Sequence, residues 1–233
     1  MKNLMIPALA LFLSAAAQAD DSPLWMRYCA ISPDGQTIAF SYQGDIYTVP
    51  SSGGKARQLT THPAHDTRPV WSPDGQRIAF ASNRSGNFDV FLMNKEGGEP
   101  KRLTTHSTNE YPTTFKDNGH ILYLANVLQD AKDIQFPGTR FMQVYEISTD
   151  GGRPDLYSSL YMENIALSKD GSKLLYNDYK GYEDPWRKHH QSSITRDIWL
   201  CTLGKDRSFQ KVTTFGGEDR NPVWAADGAS FYY

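Results

Sequence analysis

One four-residue phrase, occurring five times, limits what this chain can fold into more than any other feature. Ser32-Pro33-Asp34-Gly35 comes back as Ser72-Pro73-Asp74-Gly75, Lys116-Asp117-Asn118-Gly119, Ser168-Lys169-Asp170-Gly171 and Ala225-Ala226-Asp227-Gly228. The glycines stand 40, 44, 52 and 57 residues apart. A period near 40 with all-β patterning predicts a β-propeller, one four-stranded blade per repeat. The 13 Tyr and 11 Phe point the same way, because aromatic side chains suit half-buried pleated surfaces.

Spacing tests the division. In each repeat a large apolar residue stands four before the glycine: Ile31, Trp71, Phe115, Leu167 and Trp224. A third strand is marked by Tyr47, Phe91, Tyr145 and Trp199, and a fourth by Leu59, Leu103, Leu156 and Val212. From third-strand aromatic to fourth-strand aliphatic the steps are 12, 12, 11 and 13; from there to the next glycine they are 16, 16, 15 and 16. From glycine to third-strand aromatic they grow as 12, 16, 26 and 28. Length variation is therefore confined to the connection between second and third strands. The predicted blades are residues 28–62, 63–106, 107–159 and 160–215, with a partial fifth over 216–233. The expected fold is all-β: four complete blades and the start of a fifth, a fragment of a six- or seven-bladed ring.

The start of the chain reads as an export signal. Lys2 precedes an apolar stretch over residues 4–17, and Ala17-Gln18-Ala19 forms a small-x-small cleavage site before Asp20. Residues 1–19 are expected to be a cleaved signal peptide and 20–27 a short linker, leaving no membrane anchor. The predicted location is periplasmic. Export permits a disulfide, but Cys29 and Cys201 fall on different blades and strand ranks, so both are expected to be free and buried. The 24 Lys+Arg balance 26 Asp+Glu to a net charge of −2, which leaves no electrostatic case for nucleic acid as a partner.

The stretch Pro69-Val70-Trp71-Ser72-Pro73-Asp74-Gly75 through Ala81-Ser82-Asn83-Arg84 resembles the exported propeller repeat of TolB, the tricorn-type peptidases and some prolyl-oligopeptidase relatives. Gly44-Asp45-Ile46-Tyr47 leading to Leu59-Thr60-Thr61-His62-Pro63 is similar to a first blade of tricorn-type peptidases. Trp186 through Trp199 and Gly217-Glu218-Asp219-Arg220-Asn221-Pro222 are similar to a later one. The resemblance implies the amino-terminal propeller of an exported serine peptidase, followed by PDZ-like and peptidase domains. It also implies the alternative of a TolB-like periplasmic binding propeller without catalysis. TolB-type proteins place an α/β domain before the propeller, whereas here only residues 20–27 intervene.

Chemistry within the chain is sparse. No Gly-x-Ser-x-Gly occurs, so no catalytic residue is named. His189 and His190, being adjacent, would point opposite ways on a strand, and the Gly-Gly pairs sit in hairpins rather than before helices. No metal or cofactor is expected. The two long connections, 126–140 and 178–196, open on the face that also carries the blade-to-blade loops. A substrate- or partner-facing surface is therefore expected there. Its candidates are Tyr179, Tyr182, Trp186, Arg187 and Lys188 from the second insertion, with Asp66, Arg68, Asp219 and Arg220 from two equivalent blade-to-blade loops. For the last four, an Asp–Arg pair that merely fixes the loop is the structural alternative. The partners expected are peptide or protein substrates, the chain's own PDZ-like and peptidase domains, and a second copy of the chain. Amino-terminal sequencing of exported material is expected to begin at Asp20, and a chain still starting at Met1 would overturn the leader assignment.

Overall fold

Three of the repeat phrases close their hairpins by the same bonds. In the computed structural model, which describes residues 25–127, 142–180, 191–225 and 227–233, Ser72 Oγ donates to Asp74 Oδ1 (2.6 Å). The same oxygen accepts the amide of Arg77 (2.9 Å). Ser168, Asp170 and Lys173 repeat this geometry, as do Ser32, Asp34 and Thr37. The serine bond holds each of these carboxyls below its usual range, Asp170 at about 2. The glycine that follows sits at φ +66° to +71° in four of the five tips, a conformation open to Gly because it lacks Cβ. Blade 3 departs: Asp117 itself pairs with His120, and Gly119 N–H donates to Asp117 Oδ1 (2.6 Å).

These hairpins organise five antiparallel sheets. The first contains β1 (Arg27–Ile31), β2 (Thr37–Tyr42), β3 (Asp45–Pro50) and β4 (Arg57–Gln58). The second contains β5 (Asp66–Trp71), β6 (Arg77–Ser82), β7 (Asp89–Asn94) and β8 (Gly97–Arg102). The third contains β9 (Glu110–Asp117), β10 (His120–Ala125), β11 (Gln143–Ser148) and β12 (Asp155–Ser158). The fourth contains β13 (Met162–Leu167), β14 (Lys173–Asp178), β15 (Ile198–Thr202) and β16 (Ser208–Lys211), and β17 (Val223–Trp224) with β18 (Phe231–Tyr232) begins a fifth. Within each sheet the strands lie in chain order, and the first strands β1, β5, β9, β13 and β17 adjoin one another at the centre. This is the predicted propeller.

The core lies between blades rather than within them. Successive side chains of a strand point to opposite faces, so each blade offers one apolar face forward and one back. Phe80, Phe91 and Met93 pack on Ala39 and Ile46 of the first blade. Ala79, Val90 and Leu92 pack the other way, on Phe115, Ile121 and Tyr123 of the third. Leu122, Leu124 and Val144 then meet Ile165, Leu174 and Cys201 of the fourth. Backbone bonds tie the first two joints and the one to the partial fifth blade: the amides of Asp66, Glu110 and Asp219 donate to the carbonyls of Gly44, Phe88 and Arg196 (2.7, 2.7 and 3.1 Å). Within blades, Thr60, Thr104 and Thr213 accept the amides of Ile46, Val90 and Ile198 at 2.9 to 3.0 Å, clamping the outermost strand to its neighbour.

Two details differ from the sequence reading. In blade 3 the fourth-strand slot belongs to Tyr157, not Leu156. Leu156 lies opposite Tyr145 and is exposed, as Gln58 and Arg102 lie opposite Tyr47 and Phe91. Both cysteines are free, but only Cys201 is buried; Cys29 is exposed on the innermost strand, where it borders the axial cavity.

The tryptophans four before the glycine staple neighbouring blades. Trp71 Nε1–H donates to the Ala30 carbonyl, and Trp224 Nε1–H to that of Ala166 (3.0 Å each). Trp71→Phe keeps an aromatic ring and removes this donor. It is expected to lower unfolding free energy by about 1–2 kcal/mol in denaturant titration.

Candidate functional site

The innermost strand of each of the four complete blades carries an irregularity at the same place. Registers skip between Arg27 and Ala30, Thr67 and Val70, and Glu163 and Ala166. At the skip stands a residue with positive φ: Tyr28 (54°), Arg68 (55°) and Asn164 (49°), joined by Asn221 (57°) of the partial fifth blade. Each is seven residues before its tip glycine. In blade 3 that slot holds Pro112, whose ring forbids positive φ, and β9 skips register beside it instead. Such bulges re-aim side chains. Here all five slot residues line one axial cavity of about 390 Å³.

Arg68 is the cation of this ring. Its guanidinium lies over Tyr28 (5.2 Å to the ring centroid) and Tyr111 (4.2 Å). Burial pushes the Tyr111 phenol up, and Arg68 partly offsets that. Asp66 and Arg68 stand on β5 itself, not in the loop before it, and they do not pair. Asp66 is fully buried and binds Arg84 with both oxygens, at 3.1 and 2.8 Å. As residues two apart they would share a face of a regular strand, but the bulge at Arg68 breaks the alternation and sends them to different partners. Asp219, the counterpart of Asp66, is also buried, and its carbonyl accepts from Asn177 Nδ2 (2.6 Å). Arg220 pairs with Glu218 (2.7 Å) rather than with Asp219.

The ends of the second insertion are held by a network of charges. Lys180 binds Asp197 (2.6 Å) and Asp178 (3.3 Å), and Lys211 reaches Asp197 from β16 (2.9 Å). The two lysines hold the Asp197 carboxyl below its usual range against the effect of burial. Arg196, almost wholly buried, bridges Glu163 (2.9 Å) and Glu218 (2.7 Å) and lies over Tyr179 (5.0 Å). Glu163 adjoins Asn164, so the stem of the insertion is tied to the rim of the axial cavity. Tyr182, Trp186, Arg187 and Lys188 lie outside the described residues. Arg196 and Asp197 were not singled out in the sequence; Asp197 holds the slot of Asp45 and Asp89, two before the third-strand aromatic, so only Arg196, just before β15, set the insertion apart.

The Tricorn protease N-terminal beta propeller domain family matches residues 23–233. The chain belongs to that family. The uncharacterized peptidase YuxL of Bacillus subtilis is 46% identical over 52 residues, 20% of this chain and 8% of its own length. The TolB homolog of Chlorobium luteolum is 41% identical over 56 residues, 24% of this chain and 13% of its own. The chain thus spans a small part of these curated relatives. The crystal structure of the tricorn protease superposes with a TM-score of 0.64 at 20% identity, over 85% of this chain and 19% of that one, and shows a shared fold.

This tricorn-type propeller also buries acids at its joints. Nine residues before the glycine stand Asp66, Glu110 and Asp219, all buried. Glu110 faces Asp89, Thr104, His106 and Tyr123, with Arg102 beyond on Asp89 (2.9 Å). Burial, then the neighbouring Asp89, raises the Glu110 carboxyl to about 7, with the nearby Thr104 opposing; burial raises Asp89 as well. Among the described residues no group of three or more His, Cys, Asp or Glu is placed to hold a metal ion. The joint instead stores a proton. A carboxyl raised in the folded state stabilises it below the ordinary glutamate range and loses that contribution as pH climbs to about 7. Between about pH 5 and 7 stability is therefore expected to fall, by at most about 1.4 kcal/mol per pH unit. Glu110→Gln should flatten that slope in denaturant titrations across the range, and an unchanged slope would overturn the assignment.

Proposed function

We propose that this propeller is the amino-terminal portion of an exported, periplasmic serine peptidase, divided into a leader over 1–19, a linker over 20–27 and blades from residue 28 onward. In this reading its inserted-loop face guides or filters peptide substrates and supports PDZ-like and peptidase domains of the same protein. The observation that carries it is the convergence of two features on one face. The axial cavity is lined by a ring of side chains that includes Arg68, and the stem of the second insertion, fixed by Arg196 and Asp197, is tied to its rim through Glu163 beside Asn164. Loops on a rigid scaffold are where recognition is usually built. Tyr179 and the candidates Tyr182, Trp186, Arg187 and Lys188 supply stacking and hydrogen-bonding groups for an extended peptide.

A second reading is a TolB-like protein-binding propeller without catalysis, favoured by the stretch shared with the Chlorobium luteolum TolB homolog. Replacing residues 181–190 by a short Gly-Ser turn in the full-length protein leaves the ion-paired stem in place and separates the two. The peptidase reading expects peptide turnover by the unmodified protein and a several-fold loss, or altered substrate preference, in the variant. Unchanged turnover and domain assembly would remove the loop from function, and no turnover by the unmodified protein would favour the TolB-like reading.

A further inference from the structure

We propose that the cleft beside Arg68, where β1, β5 and the β2–β3 turn meet, binds a carboxylate carried next to an apolar or aromatic group. The proposal rests on the peptide-handling reading for the kind of ligand, and on the cleft's own chemistry for the group recognised.

The cleft holds about 400 Å³. Arg27, His65 and Arg68 line it, and no Asp or Glu does. In a chain with 26 acids and a net charge of −2, this is a local excess of positive charge. The nearest acid in sequence, Asp66, is buried and already spent on Arg84. Arg68 itself has no ion pair or hydrogen-bonded acceptor among the described residues. The guanidinium carbon lies over the Tyr28 and Tyr111 rings, contacts that supply no N–H acceptor and leave the N–H fork to a ligand. A planar carboxylate matches that fork.

Two further groups lack a partner at the same place. Ser41 Oγ and Thr67 Oγ1 are buried against the cleft and have no hydrogen-bond partner among the described residues. A buried hydroxyl left without a partner is costly, and both belong to residues that line the cleft beside Arg68. The remaining wall is aromatic. Phe88 and Trp25 offer apolar surface to whatever carries the carboxylate, with Arg27 over the Trp25 ring at 5.1 Å. Both an Asp or Glu side chain and a peptide's carboxyl terminus present this chemistry.

The test uses the full-length protein and three small probes, followed by ligand-observed NMR: N-acetyl-phenylalanine, its primary amide, and N-acetyl-glutamic acid α-amide. The free acid is expected to bind at least about tenfold more tightly than the amide, the scale of a charge-assisted hydrogen bond. Arg68→Asn should abolish that preference without changing the melting temperature. Asparagine suits the position because Asn164 and Asn221 hold the same backbone conformation in their own blades. Binding of the glutamate amide comparable to that of the free acid identifies side-chain carboxylates as the source, and its failure identifies the chain terminus. Equal affinity for acid and amide, binding of neither, or a preference that survives Arg68→Asn would overturn the proposal. The acid–amide comparison on the unmodified protein decides even if the variant does not fold. Peptide turnover in the same preparation separates this proposal from the reading beneath it. Turnover without acid preference removes the cleft alone, whereas acid preference without turnover keeps the cleft and removes the peptidase.

Discussion

The structure depends on the apolar contact between successive blades. A blade is a small sheet that is greasy on both faces, and on its own it would leave both in water. Stacking resolves this: Phe80 and Phe91 face backward while Ala79 and Leu92 face forward from the same two strands. Each fully buried Ile, Leu or Phe contributes roughly 1.5–3 kcal/mol. The joint therefore outweighs any single hydrogen bond around it. Ties such as the Trp71 and Trp224 indoles and the amides of Asp66, Glu110 and Asp219 align the stack.

That arrangement leaves the innermost strands with a particular problem. They crowd around one axis, and each must pair with its own blade while meeting its neighbours. The repeated bulge answers it by turning one residue per blade toward the axial cavity, at positive φ in every blade but the third, where Pro112 fills the slot. Because the bulge is imposed by the fold, its occupant is free to vary: Tyr28, Arg68, Pro112, Asn164 and Asn221 fill the same slot. The scaffold supplies the position, and the residue chosen supplies the chemistry.

A net charge near zero conceals strong local separation. Acids are drawn to the joints, where Asp66 meets Arg84 and Glu110 keeps a proton beside Asp89. Cations without such partners collect at the cleft around Arg68. The stem of the second insertion is a third environment, with Arg196, Lys180 and Lys211 neutralising Glu163, Glu218 and Asp197.

The blade count, the hairpin tips and the place where length varies were legible in the chain itself. They rest on local chemistry that repeats: a Ser-x-Asp-Gly tip closes on its own atoms, and strand alternation is a property of neighbours in sequence. The candidate site was legible only in part. Arg68 was singled out, but with Asp66 as its expected partner; Tyr28 and Tyr111, which actually hold it, lie 40 and 43 residues away on other blades. Likewise Cys29 reads as a core residue until the first strand is seen to border the axial cavity. Composition and periodicity decide which face of a strand is apolar. Only tertiary structure decides what that face meets, because the bulge, the ring of inner strands and the burial of each charge arise from blades far apart in the chain.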